Sequence, residues 1–273
     1  MTAQAPSPFP TDGKRKLTAR ELLEQMDAQA CLIPDKLPTQ CESQMFVGVF
    51  FDGTGNNMKL DFEDPPPEKR KHTNVVKLYQ AFPRFQDRGY FRIYLPGVGT
   101  PFPEIGDTNH PDTTSPNLGS ISGEKGEHRI LWALLQLLNA PHQYLRGEHT
   151  LLIPDDQAKT ICDTLASSVN PTSAMQRRLA LNTWQQKLIQ AMRGFKPRVT
   201  QINLSVFGFS RGAAEARVFV NWLMEVCDYK DGGWSFAGMA LNVQFLGIFD
   251  TVASVGAANL LDEGTFAGHQ GWA

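Results

Sequence analysis

The sequence predicts an α/β fold, a mostly parallel sheet with helices on both faces. Three stretches carry that expectation. Met45–Phe51 is a near-continuous apolar run, the pattern of a parallel strand buried on both faces. Ile202, Leu204 and Val206 alternate with polar neighbours, and the strand they predict runs through Gly208-Phe209-Ser210-Arg211-Gly212 into Ala213, Ala216, Val220, Leu223 and Met224 at helical spacing. Leu241–Phe249 reads as a further strand, closed by Asp250-Thr251-Val252.

Composition bounds the class. The 273 residues suffice for one large α/β domain, or for one domain with an inserted segment. Hydrophobic residues at 41% and charged residues at 20% fit a folded globular chain. With 26 basic against 28 acidic side chains there is no basic excess, so nucleic acid is not an expected partner. Cys31, Cys41, Cys162 and Cys227 are scattered without a C-x-x-C pair; neither a metal site nor a disulfide framework is supported, and no cofactor is expected. Met1–Pro10 is rich in Ala, Pro and Ser, and Lys14-Arg15-Lys16 leads into no apolar segment, so no Sec signal is read.

In chain order, residues 1–43 read as a partly disordered tail, either a docking arm or an inert leader, with one short helix capped by Thr18. The domain proper is expected over 44–273. After the first strand, Asp52-Gly53-Thr54-Gly55-Asn56-Asn57 predicts a tight loop, which reads equally as an oxyanion-hole loop or a plain turn. Asp61–Lys71 is expected to be a solvated loop. A helix follows from Val75 to Phe82, with Thr73 or Asn74 as its N-cap, and Phe91–Leu95 is a second strand. Residues 101–126 suggest an access loop or lid. The broad apolar face of 129–138 suggests a core helix, with a membrane-facing patch as the alternative. Leu151–Arg193 is further helical material. Together, about 101–195 form a loop and helical insertion before the strand that leads to Ser210. Asp228–Gly238 reads as a turn-rich loop.

The G-x-S-x-G pentapeptide between a strand and a helix predicts a nucleophile elbow, whose central hydroxyl projects from a strained turn. A serine needs a base to take its proton and a carboxylate to orient that base. Asp250 follows Ser210 in the hydrolase chain order and ends a buried strand. The backbone N–H of Arg211, with one from Gly53 or Thr54, would make the oxyanion hole. Only His269 follows Asp250, with little around it to hold a base in place.

Phe51-Asp52-Gly53-Thr54-Gly55-Asn56-Asn57, Thr73-Asn74-Val75, Leu95-Pro96-Gly97-Val98-Gly99-Thr100, Gly208-Phe209-Ser210-Arg211-Gly212-Ala213 and Phe249-Asp250-Thr251-Val252 together resemble the catalytic domain of type VI secretion lipase effectors, first family. The resemblance runs from about Phe46 onward. It implies an α/β-hydrolase-like fold and phospholipase A1 or A2 activity on membrane glycerophospholipids. It also implies delivery into a rival's periplasm, with a type VI spike protein and a cognate immunity protein as partners. The family's serine falls on Ser210 and its aspartate on Asp250. Its histidine belongs to a downstream motif, and Gly268-His269-x-x-Trp272-Ala273 resembles a different family segment. A C-terminally truncated domain with an incomplete sheet is therefore expected. Two other readings stay open: an inactive interaction module of such an effector, and a soluble short-chain carboxylesterase.

Overall fold

The computed structural model describes residues 17–23, 42–109, 125–166, 172–230 and 232–252. The chain divides into two compact units, Met1–Gln40 and Cys41–Ala273. In the first, a helical turn over 19–23 is headed by Thr18. Thr18 Oγ1 accepts the Glu21 N–H at 3.3 Å, and the Glu21 carboxylate accepts the Thr18 N–H at 2.8 Å. This reciprocal capping box bears out Thr18 as the N-cap.

The second unit is built on one sheet. Its strands are β1 (Glu42–Phe51), β2 (Tyr90–Leu95), β3 (Arg198–Phe209), β4 (Asp228–Lys230), β5 (Gly233–Phe236) and β6 (Met239–Phe249), in the order β2-β1-β3-β6-β5-β4. β2, β1, β3 and β6 are parallel, while β5 and β4 add an antiparallel edge. The helices are α1 (Asn74–Ala81), α2 (Gly126–Arg146), α3 (Asp155–Leu165), α4 (Thr172–Met192) and α5 (Arg211–Val226).

Successive strand side chains point to opposite faces, and adjacent phenylalanines show it. Phe50 stacks on Phe207 and meets Tyr79 and Phe82, at α1 and its end, edge-on at 5.5 and 5.7 Å. Phe51 points the other way, to Phe219 of α5 at 5.6 Å. Helices therefore cover both faces, as the sequence predicts. α1 starts where expected: Thr73 Oγ1 accepts the Val76 N–H at 3.3 Å.

The expected core helix is borne out: Ile130, Leu131, Leu134, Leu135 and Leu138 of α2 are buried, which removes the alternative of a membrane-facing patch. Other expectations change. Of the expected lid over 101–126, the stretch 101–109 turns inward, with Phe102 and Ile105 buried, and Gly126 already begins α2; 110–124 lie outside the described residues. α3 and α4 contribute Ala158, Cys162, Leu181, Trp184 and Leu188 to the same core. Gln185 of α4 ties the far end together, donating to Val226 O at 2.8 Å and accepting the Ala237 N–H at 2.7 Å. Within 61–71, Asp61 is buried and accepts the Asn57 N–H at 2.8 Å, so that stretch is not wholly solvated. The 228–238 loop contains the β4–β5 hairpin, whose strands are too short and exposed to show a period. β5 pairs with only Met239–Leu241, so among the described residues β6 from Val243 onward has β3 alone beside it. Phe245 and Phe249 are exposed there.

One polar side chain sits in the middle of the core. Arg129 of α2 is fully buried and pairs with buried Asp107 at 2.9 Å. It also donates to the carbonyls of Pro96 at 2.7 Å, Thr100 at 3.1 Å and Gly97 at 3.3 Å. Removing one member of a buried pair strands the other charge, whereas removing both does not. Arg129→Met is expected to cost about 3–5 kcal/mol in urea denaturation. Arg129→Met combined with Asp107→Leu should recover part of that loss, and a double variant no more stable than the single one would show that the pairing is not what matters.

Candidate active site

The chain leaves β1 toward β2 on one side and returns to β3 on the other. Such a reversal opens a crevice beyond the carboxyl ends of the strands, where open α/β sheets place their ligands. Three sequence motifs meet there. The register pairs Phe51 with Gly208 and Phe209 with Phe249, so Asp52-Gly53-Thr54, Ser210 and Asp250 stand at the ends of three neighbouring strands.

Ser210 has φ 54° and ψ −122°, left-handed angles that a residue with a side chain adopts only under strain. Tight packing around it explains the flanking glycines. A Cβ on Gly208 would lie 2.4 Å from Gly212 O, and one on Gly212 would lie 2.3 Å from Asp52 O. Backbone bonds stitch the turn to the next strand. The Ser210 N–H donates to Phe249 O at 2.9 Å, and the Val252 N–H donates to Ser210 O at 3.3 Å. Asp250, exposed and itself at φ 44°, sits inside that clasp. No hydrogen bond among the described residues joins a histidine to Ser210 or Asp250, and His269 lies outside them.

The β1 loop has a polar anchor that sequence reasoning missed. The buried Asp52 carboxylate accepts from Tyr94 Oη at 2.7 Å, Thr73 Oγ1 at 2.8 Å and the Gly53 N–H at 2.8 Å. Tyr94 Oη in turn accepts the Met58 N–H at 2.9 Å. Burial pushes the Asp52 carboxyl above its ordinary range, and the three donors pull it back. Burial and the neighbouring Asp52 push the Tyr94 phenol well up. The Gly53 N–H is thus already engaged. The Thr54 N–H has no partner among the described residues, and the Arg211 N–H heads α5, where no intrahelical acceptor exists. Arg211 Nε donates to Thr54 Oγ1, linking the two loops.

The 96–100 loop backs this arrangement. A Cβ on Gly97 would fall 1.8 Å from Gly53 O, so the two loops touch backbone to backbone. Arg129, gripping the carbonyls of Pro96, Gly97 and Thr100, fixes the outer loop and through it the inner one. Beside Asp250 a groove of about 910 Å³ opens, with Val75, Leu78, Phe209, Ile248 and Phe249 as its apolar lining and His72, Thr73, Asn74 and Lys77 as its polar one. Cys162 and Cys227 are buried, unbonded, and pushed up to about 12 by burial.

A mixed α/β fold whose six-stranded sheet is covered on both sides, with Gly-x-Ser-x-Gly where a strand meets a helix, is consistent with an α/β-hydrolase-like protein. The family described as T6SS, phospholipase effector Tle1-like, catalytic domain, matches residues 47–235, and the chain belongs to that family. Among solved structures, the crystal structure of an uncharacterized protein from Pseudomonas aeruginosa is similar, with a TM-score of 0.69 and 30% sequence identity. The match covers 93% of this chain and 35% of the other, so the chain spans about a third of that protein. No curated protein matches.

Glu215, one turn into α5, is fully buried. Burial raises its carboxyl to about 8, against the pull of Arg129 and Arg211. The folded state therefore holds a proton that the unfolded chain releases near the ordinary value of 4.5. Stability is full below that value and is lost as pH rises through 8. Glu215→Gln is expected to gain on the wild type across this interval and to level off above it. Full ionisation corresponds to roughly 3–5 kcal/mol. Parallel melting-temperature profiles for the two proteins from pH 4 to 9 would refute the assignment.

Proposed function

We propose that this chain is a serine esterase domain that removes an acyl chain from membrane glycerophospholipids, in the manner of a phospholipase A1 or A2. It acts as an antibacterial effector delivered by type VI secretion into the periplasm of a rival cell. A spike protein and a cognate immunity protein are the partners this reading entails. The observation that carries it is Ser210 at φ 54° on the elbow between β3 and α5, beside two uncommitted N–H groups.

Ser210 Oγ attacks the acyl carbonyl and gives up its proton to a base, which Asp250 orients. The carbonyl oxygen becomes an oxyanion between the N–H groups of Arg211 and Thr54. Gly53 supports that hole through Asp52 rather than donating to it, since its N–H already binds the Asp52 carboxylate. Collapse of the tetrahedral intermediate releases the lysophospholipid, which takes the proton back, and water then hydrolyses the acyl-serine. The groove beside Asp250 offers an acyl chain the apolar side formed by Val75, Leu78, Phe209, Ile248 and Phe249. That groove favours a lipid over a short soluble ester.

Ser210→Ala is expected to lower fatty-acid release from phosphatidylethanolamine vesicles by about 10³-fold or more, because loss of a triad nucleophile removes the covalent route. The check is titration of released acid, with mass spectrometry of the lysolipid to locate the cleaved ester. Release that persists unchanged in the variant would falsify the serine mechanism.

A further inference from the structure

The mechanism above uses only the backbone of Arg211. Its side chain is the first of α5, directly after Ser210. The guanidinium is half-buried, and its Nε is held by Thr54 Oγ1. Among the described residues no carboxylate pairs with it and neither Nη has an acceptor. Glu215, the acidic group one turn further along α5, acts on it through space and makes no hydrogen bond with it. Desolvation lowers the Arg211 pKa, and the charge of Glu215 offsets only part of that. A cation at the start of a helix also faces the positive end of the helix dipole. Holding the loop needs only the bond to Thr54, which a neutral donor would make without these costs.

We propose that the two free Nη groups of Arg211 bind the phosphodiester of the substrate's head group, with the Nε–Thr54 bond fixing the orientation of the fork. The proposal rests on the phospholipid reading above and adds the residue that recognises the head group. Guanidinium donors match two oxygens of a phosphate in a planar, paired geometry. In a glycerophospholipid the phosphate and the acyl esters share one glycerol, so a cation beside Ser210 can hold the first while the hydroxyl attacks one of the second. A neutral glyceride offers that cation nothing.

The test measures kcat/KM on phosphatidylglycerol and on diacylglycerol of the same acyl chains, in the same mixed micelles. Arg211→Gln should lower the phospholipid-to-diacylglycerol ratio about tenfold or more, Arg211→Lys should restore part of it, and Thr54→Val should lie between. An unchanged ratio, whether or not both rates fall, overturns the proposal and leaves the side chain a strut for the Thr54 loop. A second arm needs no turnover, so it decides even if the esterase reading fails. Calorimetric binding of glycerol 3-phosphate to Ser210→Ala should weaken about tenfold when Arg211→Gln is added. No binding, or equal binding by both proteins, overturns the proposal. Inorganic phosphate that binds as tightly as glycerol 3-phosphate overturns the head-group assignment in favour of a free-anion site.

Discussion

The buried guanidinium of Arg129 is the contact from which the site is hung. A charge with no exposed surface survives only if its donors are matched, and here Asp107 and the carbonyls of the 96–100 loop supply the match. The loop cannot drift without stranding that charge. Because Gly97 lies against the carbonyl of Gly53, the same constraint reaches the Asp52-Gly53-Thr54 loop. Thr54 then meets Arg211, and Arg211 follows Ser210. A helix on one side of the sheet thereby sets the position of a turn at the end of β3.

The elbow adds a second constraint, one of crowding. Gly208 and Gly212 let α5 rise close against the ends of β1 and β3, and the strained angles of Ser210 are what remains when everything around it is packed. Its N–H is taken by Phe249 at the end of β6 and its C=O by the N–H groups of Val252 and Ala213, which leaves the side chain as its one uncommitted polar group among the described residues. Strain of this kind persists because the surroundings over-determine it. Asp52, with three donors on its carboxylate, performs the matching task at the end of β1.

The fold was legible in the sequence wherever the signal is local. The apolar run of β1, the alternation at Ile202, Leu204 and Val206, and the pentapeptide around Ser210 each specify their own conformation within a few residues. Thr18 and Thr73 were legible as caps for the same reason, since a cap bonds to a residue three positions on. Interactions made across the sequence were not legible. Asp52 stood in a motif whose glycines drew attention, yet its partners Thr73 and Tyr94 lie 21 and 42 residues away, and no periodicity announces them. The commitment of the Gly53 N–H to that carboxylate narrows the expected donor pair, a detail that depends on side-chain geometry alone. Arg129 opens a stretch legible only as a broad apolar face, and its role appears when the 96–100 loop folds onto it. The inward turn of Phe102 and Ile105 was hidden by the Gly- and Pro-rich composition around them, which describes a loop but not where it packs.

Cys162 and Cys227 lie in the core with thiols pushed up to about 12, so at neutral pH neither is a thiolate. Oxidation and disulfide exchange both proceed through the thiolate. The part of the fold that holds these two residues is accordingly indifferent to the redox poise of its surroundings. Among the described residues, a change between reducing and oxidising surroundings would therefore leave Cys162 and Cys227 as they are, two thiols that neither form a bond nor have one to lose.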